Sequence, residues 1–184
     1  MKKQILLASI AAMSAAFAQA PTAAAAAAPK PAAPDMSTPV ASVRALQTQV
    51  AGVILKSAEK MPEENFAFKP TPDIRSFGQL LGHVADAQYM FCSRVIGEKV
   101  APKNIEKTMT SKADLKKSLE EAFAYCEKAY SISDAAAAEP MNMMGSRAKI
   151  GVLSFNVAHN FEHYGNIVTY MRLKGLVPPS SEGR

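Results

Sequence analysis

Apolar residues in this chain recur at spacings of three and four, and proline-rich stretches separate the segments in which they do so. That spacing places them on one side of an α-helix, and a one-sided helix must bury its stripe against a neighbour. Val43, Leu46, Val50, Val53, Ile54 and Met61 define a first helix, with Ser37 or Thr38 as N-cap and Pro39 in the first turn, where its missing N–H costs nothing. Pro62 ends it, and the segment PEENFAFKPTPDIR, with three prolines, reads as a crossing loop held to the domain by Phe66 and Phe68. Ser76 with Gln79 forms a capping-box pattern that opens a second helix running to about Gly97, whose core-facing side carries Leu80, His83, Val84, Ala87, Met90, Phe91 and Val95. A third helix is expected from Ser111 through Leu115, Leu119, Phe123 and Cys126 to about Ser131, and a fourth from about Ser146 to Lys174 with Gly175 at its C-terminus.

Alternating strand patterns are absent from this reading, which excludes a βαβ fold, and no repeat period supports a solenoid. The expectation is all-α: a helical bundle of about 147 residues, from Thr38 to Arg184. The methionine-rich segment DAAAAEPMNMMGS before the fourth helix is expected to be a loop that shapes access to the interior.

The residues ahead of that domain have a different character. Lys2 and Lys3, an apolar run from Ile5 to Phe17, and Ala18-Gln19-Ala20 together read as a secretory signal peptide over 1–20. Residues 21–37, PTAAAAAAPKPAAPDMS, read as an Ala/Pro-rich spacer. The apolar run is too short to span a bilayer, so the expected location is the periplasm or outside the cell, with no stable membrane span. Removing Lys2 and Lys3 with the leader leaves 19 basic against 16 acidic residues, a charge of +3 instead of +5, with basic and acidic residues interspersed. Such a surface excludes nucleic acid as the expected partner. Cys92 and Cys126 each fall within an amphipathic helix and form no recognisable disulfide framework, so free, partly buried thiols are expected.

Function is carried by the three histidines. His159 and His163 are four residues apart and share a helix face, and His83 lies on the core-facing side of another helix, so all three imidazoles can reach one ion. Three neutral nitrogens suit a divalent metal, zinc or nickel ahead of iron, cobalt or manganese, and leave positions for water or substrate. Either element alone occurs often as ordinary core histidine; their convergence points to a metal site. The pattern is not HExxH, because Asn160 follows His159, and Glu162 falls about 100° from His163 around the helix, so it is not assigned as a base. Asp86, Asn156 and Asn160 are candidates to orient an imidazole, with solvation the competing reading for each. Tyr89, Tyr164 and Tyr170 read as packing residues, and Cys92 is misphased for a fourth ligand.

Two segments, FKPTPDIRSFGQLLGHVADAQYMFCSRVIGE and LSFNVAHNFEHYGNIVTYMRLKGLVPPSS, resemble the DinB-like family, also called the DNA-damage-inducible or YfiT-like metal-dependent hydrolases. The resemblance covers Thr38 to about Glu182. It implies an up-down-down-up four-helix bundle, often a homodimer, with a divalent metal on His83, His159 and His163. It further implies a metal-dependent hydrolase, or a transferase acting on a small-molecule substrate such as a thiol; the leader expected over 1–20 and the spacer set this chain apart, as an exported member, from the family's usual cytoplasmic ones. The alternative is a non-catalytic metal-binding or structural bundle.

Overall fold

In the computed structural model, residues 36–143 and 145–183 are described. The expected signal segment at 1–20, and the spacer as far as residue 35, lie outside the described residues. The four expected long helices are present as α1 (Pro39–Lys60), α2 (Phe77–Ile96), α4 (Lys112–Cys126) and α6 (Lys149–Leu173). Their starts follow local chemistry. The Thr38 hydroxyl accepts from Ala41 N, Ser76 and Gln79 form a reciprocal capping box, and Ser111 accepts from Asp114 N. At the other end of α2, Gly97 adopts φ 76°, a left-handed conformation that stops the helix at little steric cost.

The long helices pack on one another, α2 against α4 and α6, and α1 against α6 and α4. Along α2 and α6 the apolar residues divide into two clusters. One contains Phe77, Leu81 and Val84 with Ile167, Tyr170 and Met171, beside Ile54, Leu115 and Leu119. The other contains Phe91 and Val95 with Val152, Leu153 and Val157, beside Tyr130. On α6, the turns between these clusters carry Asn156, His159, Asn160 and His163. The loop after α1 is fixed as expected: Phe66 is buried, Phe68 packs on the core, and their carbonyls accept from Gly78 N and Phe77 N at 2.8 and 3.0 Å.

Several expectations are corrected. Cys92 and Cys126 are not free thiols; they form a disulfide, with their Cα atoms 5.3 Å apart, because α2 and α4 pack side by side and bring them face to face. The third helix ends at Cys126, and Ala129–Ser131 forms a separate 3₁₀ turn. The expected loop after it contains α5 (Asp134–Ala138), capped by Ser133, and a hairpin of β1 (Pro140–Asn142) with β2 (Ser146–Ala148), so α6 begins at Lys149 rather than Ser146. Strands of three residues are too short to show alternation in sequence. A four-residue helix, α3 (Ile105–Thr108), fills the connection between α2 and α4. Leu46 and Met90, placed on buried stripes by periodicity, are 45% and 43% exposed. Among the described residues no helix is long and apolar enough to cross a membrane.

Candidate metal centre

α2 contributes His83 and α6 contributes His159 and His163, and the fold brings one ligand atom of each within 4.8 Å of the others. His159 Nε2 is 3.2 Å from His83 Nε2 and 3.0 Å from His163 Nε2. A neutral imidazole has one N–H, so His159 Nε2 cannot donate to both neighbours. Burial is also costly here. His163 is 7% exposed, and the buried Nδ1 atoms of His159 and His163 have no hydrogen-bond partner. Burial, followed by the charge that His159 and His83 would carry, pushes His163 down to about 3. Burial and His83 likewise lower His159. Both rings are therefore neutral at pH 7, the state in which imidazole ligates a metal.

The donor set fits a divalent ion. Nitrogens bound about 2.0–2.1 Å from a tetrahedral centre lie roughly 3.3 Å from one another, close to the two Nε2 separations here. His83, His159 and His163 would hold the ion, and zinc and nickel both suit imidazole nitrogens.

Sequence reasoning missed Glu106, on α3. Its Oε2 lies 3.0 Å from His83 Nδ1, and its Oε1 accepts from Arg75 Nε at 2.9 Å. Burial alone would raise the Glu106 carboxyl, but the hydrogen bond and charge of Arg75, with His83, bring it below the ordinary carboxylate range. Nothing local in GEKVAPKNIEK signals this pairing, because His83 and Glu106 are 23 residues apart.

The other candidates are placed as follows. Asp86 does not orient an imidazole; its two oxygens accept from Ile105 N and Glu106 N, both at 3.0 Å. Asn156 and Asn160 are buried rather than solvated, and Asn160 also hydrogen-bonds the His159 ring, which raises its pKa against the effect of burial. They bond Gln88, and Asn160 also reaches Gln47. Glu162 is exposed and lines a cavity of about 510 Å³ with Arg75, Glu106 and His163. Tyr164 and Tyr170 have structural partners, the Ser180 N–H and the Arg75 carbonyl. Cys92 is engaged in the disulfide. A second cavity, of about 410 Å³, is bordered by His83 and His159 and includes Tyr89, Arg94 and Lys103 in its wall. Its one carboxylate is Asp86.

The family model of the DinB superfamily matches residues 46–167, and the chain belongs to that superfamily. A DinB-like protein from Bacillus cereus ATCC 10987 is similar in structure, with a TM-score of 0.67 and 16% identity over 74% of this chain and 93% of that one. The DinB-like protein YjoA from Bacillus subtilis has a TM-score of 0.59 and 19% identity, over 73% of this chain and 92% of that one. No curated protein matches the chain in sequence.

Proposed function

We propose that the chain is an exported metal-binding protein whose three histidines hold one divalent ion beside a substrate-sized cavity, and that it acts as a metal-dependent hydrolase or thiol-dependent transferase. The observation that carries the reading is the convergence of three Nε2 atoms at an edge of the 410 Å³ cavity, with His83 and His159 in its wall. When bound, the ion would supply Lewis acidity and lower the pKa of a coordinated water or thiol. The chain's own residues bind and orient: the cavity is mostly apolar, and Arg94 and Lys103 offer cations to a polar end of a small molecule. Lys103 lies over the Tyr89 ring, 5.3 Å from its centroid.

Asp86, the cavity's one carboxylate, already accepts two backbone N–H groups, so it is not free to act as a general base. That favours a nucleophile such as a thiol, which needs less base assistance than water, and within the hydrolase–transferase pair it supports the transferase. The same observation supports the second reading, a metal-binding bundle without turnover. Export is supported by the leader-like residues 1–20 and by the Cys92–Cys126 disulfide, since disulfides persist in oxidising compartments. The proposal includes the family's up-down-down-up helix order and homodimeric assembly, with residues 38–184 as the folded domain.

Titration of zinc and nickel into the full-length chain tests the site. One ion per chain is expected for wild type, and none for His83→Ala and His159→Ala with helical circular dichroism retained; undiminished binding in both variants overturns it. Turnover is then screened on esters and amides, and on electrophiles with added thiol, beside His163→Ala. Equal rates in variant and wild type count against metal-dependent catalysis, and rates no higher than without protein in both decide for the non-catalytic reading.

A further inference from the structure

We propose that Glu106 is a positioning residue of the metal centre, holding His83 from the far side of its ring so that Nε2 is the ligating atom. The inference rests on the three-histidine reading above. A helix of four residues has no stability of its own, so α3 exists only because α2 receives it. Three features of the α2 surface do so. Asp86 accepts from the N–H groups of Ile105 and Glu106, both otherwise without helical partners. Ile105 is 2% exposed and belongs to the core. Gly82 has no side chain where one would collide: a Cβ there would lie 2.7 Å from Glu106 Cα and 2.8 Å from Glu106 N. Gly82 and Asp86, which lie on either side of His83 along α2, thus fix the backbone of Glu106 beside that ring.

Arg75 then sets the carboxylate. Its Nε donates to Glu106 Oε1 at 2.9 Å, which leaves Oε2 3.0 Å from His83 Nδ1. An ionised carboxylate only accepts, so Nδ1 carries the proton directed at it, and in the ligating form of the ring the lone pair lies on Nε2, which faces His159. Arg75 Nη2, 3.3 Å from the same Nδ1, only donates and would favour an unprotonated Nδ1, but the shorter contact is the one to the Glu106 carboxylate, at 3.0 Å, which favours a proton there. The buried Nδ1 atoms of His159 and His163 have no hydrogen-bond partner, so of the three rings it is His83 whose Nδ1 is backed by a carboxylate. A carboxylate in this position orients the ring and strengthens it as a donor.

The test combines zinc titration of the full-length chain with ¹⁵N NMR of its histidine rings in the metal-free state. Wild type should show His83 as the Nδ1–H tautomer. Glu106→Ala should give a tautomer mixture and a zinc affinity about 10- to 100-fold weaker. Glu106→Gln, whose amide oxygen still accepts from Nδ1–H, should retain the tautomer and lose less. Gly82→Ala keeps the carboxylate in the sequence but displaces α3, and should weaken zinc in the same direction. Zinc affinity within twofold of wild type in Glu106→Ala, or an unchanged His83 tautomer, overturns the proposal. A wild-type chain that binds no zinc or nickel fails the metal reading instead, and the tautomer in Glu106→Ala alone then decides whether Glu106 positions the ring.

Discussion

On α6 two i, i+4 pairs interleave, Asn156 with Asn160 and His159 with His163, and the fold treats them in opposite ways. The asparagines join Gln88 of α2 and Gln47 of α1 in a buried amide layer. Gln88 Nε2 donates to Asn160 Oδ1 at 2.8 Å, and Gln88 Oε1 accepts from Gln47 and Asn156 at 2.9 and 3.0 Å. Asn160 Nδ2 donates to Gln47 Oε1, and Asn156 Nδ2 also reaches the Tyr130 hydroxyl. No amide nitrogen or oxygen in that layer lacks a partner. The histidines, a quarter-turn away, have two buried nitrogens with none. A closed network of this kind specifies how helices meet. An incomplete one, made of good ligand atoms aimed at a common point, leaves donors that could hold a metal ion.

Removing the hub of the closed network is the strongest way to break the contrast. Gln88→Leu leaves the amides of Gln47, Asn156 and Asn160 buried without it and should cost about 3 kcal/mol in urea unfolding; a loss below about 1 kcal/mol would mean that the layer does not hold the helices. The histidine side should respond to acid. In the metal-free chain, His163 is held down to about 3 in the folded state, whereas an unfolded histidine protonates near 6.5. The unfolded chain therefore binds more protons below pH 6.5, and stability should fall as pH drops from 6.5 toward 3, by on the order of 2 kcal/mol at pH 4.5. Unfolding curves at pH 6.5, 5.5 and 4.5 should show this slope reduced in His163→Asn. The smallest effect has the opposite sign: His163→Leu, which removes an unpartnered buried nitrogen, should stabilise the metal-free chain by about 1 kcal/mol at pH 7. Equal destabilisation by the leucine variants at 88 and 163 would erase the distinction.

What could be read in advance divides by distance along the chain. The long helices, the Ser76–Gln79 cap and the shared face of His159 and His163 follow from residues three or four apart, and sequence periodicity expresses those relations directly. Placing His83 opposite the pair needed only the expectation that one apolar stripe faces another. By contrast, Glu106, the Cys92–Cys126 bridge and the amide layer are pairings of 23, 34 and up to 113 residues. They depend on how helices are rotated and on a single missing Cβ at Gly82, which leave no local period. Asp86, Asn156 and Asn160 were candidates to orient an imidazole; Asp86 instead holds a helix end and Asn156 an amide layer, whereas Asn160 serves that layer and also hydrogen-bonds His159.

The disulfide makes one further property of the cavity wall explicit. The backbone from Cys92 to Cys126, with the sulfur bridge, is a covalently closed ring, and within it lie the exposed stretch 97–104, the wall residues Arg94 and Lys103, and Glu106. A protease cutting that exposed stretch would therefore release no fragment. The nicked chain would remain one molecule, its two pieces parting on a gel only after a reductant is added.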